Sequence, residues 1–113
     1  MAITPTVLYS GGQLSTLPST LVTSPTGTRV VITHAVFTNV ESAARALSVW
    51  IVRAGAQATD ANIAIDALSL AAGQSYVPNE IIGAILGAGD MIQAAASMAA
   101  SITCAGIDGA QIT

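Results

Sequence analysis

Lysine is absent from this chain, and charge of either sign is scarce. Charged residues make up 8% of the 113 residues, against a usual share of about 25%. The three positive charges, Arg29, Arg45 and Arg53, are scattered, and the formal net charge is −3. A nucleic-acid binder needs clustered Lys and Arg to neutralise phosphates, so that class is excluded. Cys104 is the one cysteine, which rules out an intrachain disulfide and a Cys-based zinc site. A spanning helix would need about 20 predominantly apolar residues. The C-terminal uncharged run, Met91 to Ile107, is shorter, is largely Ala, Ser and Thr with Gln93 inside, and is closed by Asp90 and Asp108. The opening "MAITPTVLYS" has neither the basic nor the apolar region of a secretory signal. Neither nucleic acid nor membrane is therefore the expected partner.

Apolar side chains are abundant, at 52% of the chain. A monomer normally interleaves many charges over its surface to avoid association. So apolar a chain is expected to hide part of its outside against other protein. The length suits one domain with its own core.

Turn signals punctuate the chain: "SGGQ" at 10–13, "SPTGT" at 24–28, "NVESAA" at 39–44, "RAGAQATDAN" at 53–62, "LAAGQ" at 70–74, "LGAGD" at 86–90 and "GIDGA" at 106–110. Such spacing, about a strand and a turn, indicates an all-β sandwich or barrel. Thr28–Asn39 is dense in Val, Ile, Thr and Phe, which fit a pleated surface. Ala44–Ala54 alternates with period two, placing Leu47, Val49 and Ile51 on one face and Ala46, Ser48, Trp50 and Val52 on the other. The short join between these two segments predicts an antiparallel pair. Asn62–Leu70 is expected to put Ile63, Ile65 and Ala67 on one side and Ala64, Asp66 and Leu68 on the other. In Gln74–Ile82, Pro78 marks an edge or a bend, since it has no N–H to donate.

The run "AAASMAA" at 94–100 is a helix by alanine propensity alone. It follows the tight turn ending at Asp90, however, and continues into β-branched Ile102 and Thr103. An isolated helix this short is also marginal. The expectation is a hairpin: Met91–Ala96 up, a turn near Ser97–Ala99, and Ala100–Ile107 back. The fold class is accordingly a small antiparallel β-sandwich of seven or eight short strands, jelly-roll-like or immunoglobulin-like. Residues 1–27 read as an N-terminal arm and first strands, and residues 28–113 as the sandwich core of the same domain.

No residue constellation specifies catalysis, a cofactor or a metal. Cys104 sits in a strand-like segment and reads as a packed thiol. A Cys104–His34 pair would lack a third, orienting residue. The acids Asp60, Asp66, Glu80 and Asp90 lie at strand ends without calcium-loop spacing. Asp60 and Asp90 read as turn residues. "GAG" at 87–89 lacks the third glycine and the βαβ setting of a dinucleotide loop. Trp50 and Tyr76 read as anchors of the core or of a subunit contact.

"DANIAIDALSLAAGQSYVPNE" (60–80), "LGAGDMIQAAAS" (86–97) and the closing "SITCAGIDGAQI" together resemble small virion proteins of tailed bacteriophages, of the capsid decoration or cement type. The matching residues are Gly55, Asp60, Ala61, Asn62, Ile65, Asp66, Leu68, Leu70 to Gln74, Tyr76, Leu86, Ala88, Gly89, Asp90 and Ile92 to Ala94. The likeness runs loosely back to Thr28. It implies a β-sandwich that braces a shell through contacts with the major capsid protein or other virion proteins, a homo-oligomer (dimer or trimer), and residence in the virion after synthesis in the host cytoplasm. It carries no catalytic or cofactor residues. A neck, tail or fibre-base component is the alternative, and a carbohydrate-binding module is a third. The expected partner contacts are Val7, Leu8 and Tyr9 of the N-terminal arm, with Ile81, Ile82, Ile85 and Leu86 of "EIIGAIL". These isoleucines cannot all face one core from a single strand.

Overall fold

The computed structural model describes residues 2–113, and among them the chain forms strands and no helix. The strands are β1 (Ile3–Tyr9), β2 (Gly12–Gln13), β3 (Ser19–Thr23), β4 (Arg29–Asn39), β5 (Arg45–Val52), β6 (Ile63–Leu70), β7 (Ser75–Tyr76), β8 (Ile85–Leu86), β9 (Met91–Ala96) and β10 (Ile102–Ile112). They build two antiparallel sheets. Sheet I runs β1-β10-β4, with β7 and β8 on the far side of β4 and β2 beside β10. Sheet II runs β3-β9-β5-β6.

First pairs with last throughout: β1 with β10, β3 with β9, β4 with β7 and β8, and β5 with β6. This nesting of four antiparallel pairs, wrapped into two facing sheets, is the jelly-roll arrangement. Val30, Ile32, Phe37, Ile102 and Ile107 of sheet I and Leu47, Val49, Ile65, Leu70 and Ile92 of sheet II belong to one buried cluster. The long strands β4, β5, β6, β9 and β10 supply that cluster from their inward faces, which is the period-two signal of the sequence made physical.

The jelly roll corrects two expected pairings. Strands β4 and β5 do not form a hairpin; they lie in different sheets. Asn39, fully buried at the end of β4, carries the chain across. Its Nδ2 donates to the carbonyls of Ala43 (2.9 Å) and Leu70 (3.0 Å), and its Oδ1 accepts from the N–H of Glu41 (2.9 Å). Strands β9 and β10 are likewise strands but not a hairpin, because β9 joins β5 in sheet II and β10 joins β4 in sheet I. The connection between them is an arch. It is held by Ser97, whose N–H donates to the Ala46 carbonyl while its Oγ accepts from the Ala46 N–H. Ala100 takes a left-handed φ of 60° in the arch. Ala94, Ala95 and Ala96 are all buried. The alanine run therefore reflects tight packing between sheets and not helix propensity.

Local irregularities explain two further departures. In β6 the register against β5 slips near Asp66 and Ala67, and Ala67 adopts φ 49°. A β-bulge adds one residue and so reverses the alternation beyond it. Asp66 and Ala67 both face solvent, while Ile65 and Leu70 are buried and Leu68 packs against the core. Ala67 therefore does not share a face with Ile65. The expected strand 74–82 shrinks to Ser75–Tyr76, after which the chain turns, with Pro78 buried in the bend.

Within residues 1–27, read from sequence as an arm with first strands, β1 and β3 are each the outer strand of a sheet. The chain ends meet there. Ala2 and Thr113 exchange both backbone hydrogen bonds at 3.0 Å.

Asp90 fastens the turn before β9. Its carboxylate accepts from the N–H groups of Ala54 and Gly87 and from Arg53 Nη1, each at 2.9 Å. Arg53 also donates to the Ile85 carbonyl at 3.0 Å. Burial alone would raise the carboxyl pKa, but the two N–H bonds and the guanidinium outweigh it and hold it below its usual value. A depressed carboxylate adds stability above its unfolded pKa and loses it as pH falls through the folded one. Asp90→Asn should therefore cost about 2 kcal/mol at pH 7. In acid unfolding monitored by circular dichroism, the gap to the natural chain should close as pH drops below the ordinary carboxylate range. A gap that stays constant with pH would remove the carboxylate from this role.

Candidate interaction surface

The outer face of sheet I collects apolar side chains in cross-strand rows. Pro5, Ala110, Val31 and Ile85 stand in register on β1, β10, β4 and β8. On one side of this row lie Ile3, Ile112 and Arg29. On the other lie Val7, Asp108 and His34. Cross-strand partners share a face of the sheet, and the inward neighbours Val30, Ile32 and Gly109 are buried. Ile3, Val7 and Ile85 expose 62%, 65% and 58% of their surface. Three of the large exposed apolar side chains thus lie on one face, which single scattered residues would not do.

β1 is amphipathic in reverse. Ile3, Pro5 and Val7 point outward, while Thr4 and Thr6 alternate with them on the inward side, level with Gln111 and Gly109. Because Ala2 and Thr113 form a bonded pair, antiparallel alternation aims the backbone groups of Ile3, Pro5 and Val7 at the free edge. Pro5 therefore puts its missing N–H where an added strand would need a donor, which blunts that edge. The outer strands of sheet II are interrupted by bulges, between Thr20 and Val22 in β3 and at Asp66–Ala67 in β6. Edges are guarded by proline and bulges in a chain with almost no charge to do it.

Bulges in three neighbouring strands dent the same face. The register shifts between Val7 and Tyr9, between Cys104 and Gly106, and at Thr33, which is skipped between Ile32 and His34. The result is an open groove of about 280 Å³ lined by Val7, Tyr9, His34, Val36, Gly106 and Asp108. His34 and Asp108 face each other across the β4–β10 ladder. Cys104 points the other way, into the core, where burial pushes its thiol pKa up. The sheet itself separates Cys104 from His34, so the two do not form a pair.

The expected contact residues divide. Val7 and Ile85 lie on this outer face. Leu8, Tyr9 and Ile82 are half-buried and pack against the core. Ile81 and Leu86 are 0% exposed, and that corrects their assignment to a partner contact. The reason is that "EIIGAIL" is not one strand: residues 79–83 turn after Pro78, Gly83 and Ala84 bond Ile32, and Ile85–Leu86 then pair with β4. Sequence reasoning missed Ile3, Val31, Arg29 and Asp108. The i, i+2, i+4 spacing of Ile3, Pro5 and Val7 was a usable signal, but period two alone does not say which face is buried.

The aromatic residues are dispersed. Tyr9 lies beside the groove, Trp50 is on the outer side of sheet II opposite Gln93 and Ile63, and Tyr76 donates to Glu80 at 2.7–2.8 Å. That hydrogen bond, with some burial and the Glu80 charge, raises the Tyr76 pKa. Several polar residues of segments 53–62, 70–74 and 86–90 close turns. Asn62 Oδ1 accepts from Thr59 N–H and its Nδ2 donates to the Gln57 carbonyl. Gln74 Oε1 accepts from Ala71 N–H, and Asp90 makes the clasp above. Those polar groups carry the fold and are occupied by it. No protein-family model, curated protein or solved structure matches the chain.

Proposed function

We propose that the chain is a non-enzymatic virion structural protein that decorates and stabilises a phage capsid through protein–protein contacts. The observation that carries this reading is the apolar outer face of sheet I. Its middle row is uncharged, its flanking rows carry one charge each, Arg29 and Asp108, and the edges of the sandwich are blunted against strand addition. Bracing a shell needs area and apolar contact rather than a reactive site. The resemblance of residues 60–80 and 86–97 to tailed-phage virion proteins points the same way, and the jelly roll is a scaffold used by capsid and lectin domains alike. A carbohydrate module would gather aromatic residues on one loop cluster, and here they are spread over both sheets.

Quantitative mass spectrometry of purified particles tests the reading. Decoration predicts a copy number comparable to that of the major capsid protein. A few copies per particle would move the protein to the neck, tail or fibre base, and absence from particles would sink the virion role.

A further inference from the structure

We propose that the outer face of sheet I takes a second copy of this chain, in a two-fold packing that sets Arg29 of each copy against Asp108 of the other. The inference rests on the reading of the chain as an assembly protein and names the first partner it meets.

The face is self-complementary. The middle row, Pro5–Ala110–Val31–Ile85, carries no charge, and the rows flanking it carry opposite ones: Arg29 on one side, Asp108 on the other. A two-fold axis laid along the middle row turns each flanking row onto the other. Ile3 then comes over Val7, and Arg29 comes over His34, one strand away from Asp108. A long guanidinium spans that offset, and burial between apolar rows strengthens the attraction. Within one copy the two charges cannot meet, being four residues, roughly 13 Å, apart along the strands. Among the described residues the ion pairs are Arg45–Glu41 and Arg53–Asp90. Neither the Arg29 nor the Asp108 side chain is in one.

The strands of the face are unequal: β4 and β10 each run 11 residues, β1 runs 7 and β8 runs 2. At about 3.3 Å per residue and about 4.8 Å between strands they cover roughly 500 Å². Two copies together bury about 1,000 Å², the lower bound of a specific interface. The alternative route to a β dimer, strand addition at β1, is blocked at Pro5. A two-fold contact needs the same patch on both copies, and this face supplies it.

The experiment is sedimentation equilibrium of the full chain over a concentration series, with circular dichroism to verify folding. The natural chain should be a dimer. Arg29→Glu and Asp108→Arg should each weaken it by about tenfold or more, and the double reversal should restore it to within about threefold. Val31→Lys, on the same exposed face, should abolish the dimer while leaving the monomer folded. A monomer at every concentration, a trimer, or a dimer indifferent to both charge reversals would overturn the proposal. So would single losses that the double reversal fails to rescue. The particle stoichiometry is read separately. A monomer present at shell-protein copy number would end this proposal and leave the virion reading intact, and a charge-rescued dimer absent from particles would do the opposite.

Discussion

Asn39→Asp should cost about 4 kcal/mol of stability at neutral pH, although the two side chains are nearly the same shape. Asn39 is 0% exposed. Its amide gives two hydrogens to the carbonyls of Ala43 and Leu70 and accepts one from Glu41 N–H. Its own backbone is bonded as well, N–H to the Gln74 carbonyl and C=O from the Gly73 N–H. The substitution would aim a carboxylate oxygen at two carbonyl oxygens in a fully buried site. Protonation would relieve only one of these contacts, since a carboxyl has a single hydrogen to give. The introduced group would therefore have a raised pKa in the folded state. Its penalty should be smallest below the ordinary carboxylate pKa and grow as pH rises through the folded value. Asn39→Ala should cost less, about 2–3 kcal/mol, because it leaves groups unpaired without placing a charge among them. Urea unfolding of the three chains at pH 4 and pH 7 checks both the order and the pH trend. Equal losses for Asp and Ala at pH 7 would show that the donor role assigned to Nδ2 is wrong. With domains typically stable by about 5–15 kcal/mol, the Asp variant should sit near the threshold of folding.

Gly109→Ala should be the second large loss, about 3 kcal/mol, for a single methyl group in the middle of sheet I. Gly109 lies in β10 between β1 and β4, beside a register shift. Its φ is not in the left-handed region, so backbone strain is not the cause. A Cβ there would overlap the carbonyl oxygen of Val31 and come within 2.7 Å of Leu8 Cδ1. Leu8 can change rotamer, but the Val31 carbonyl belongs to the neighbouring strand and moves only if β4 does. Relief therefore requires parting β10 from β4, the longest ladder in the molecule. Gly27, by contrast, has open space around its missing Cβ but a φ of 76°. Gly27→Ala should cost only about 1 kcal/mol, from the left-handed backbone. Thermal unfolding separates the two, at about 4 °C or more per kcal/mol for a domain of this size. A Gly109→Ala chain melting within a degree or two of the natural one would mean that β10 and β4 are not packed as described.

These two positions also mark the limit of what sequence reading could reach. Asn39 was legible as the start of a turn, because Asn, Ser and Glu between two β-rich runs are turn chemistry. Its buried side chain, reaching to Leu70 in β6, was not. Gly109 was legible as part of a turn signal, "GIDGA", and is in fact inside an 11-residue strand. The contact that demands a glycine comes from Val31 and Leu8, far away in the chain. The candidate surface was half visible in the same way: Val7 and Ile85 were named from sequence, but with them Ile81 and Leu86, which fill the core.

The sequence by itself determined the β class, most strand positions, the structural character of the alanine run and the turn role of Asp90. Each follows from local chemistry: β-branched residues fit a pleat, glycine and Asp–Asn–Ser clusters close turns, and alternation gives each strand two faces. Only the tertiary structure decided which strands pair. Hairpins between consecutive strands and a jelly roll between distant ones satisfy the same backbone hydrogen bonds and bury the same alternating faces, so no local pattern separates them. The choice comes from how both sheets close over one core. The same closure turned Ile3, Pro5 and Val7 outward, because their cross-strand partners Ile112, Ala110 and Asp108 alternate with inward Gly109 on β10. A period of two offers two faces, and only the packing of the whole molecule selects the one that meets water or a partner.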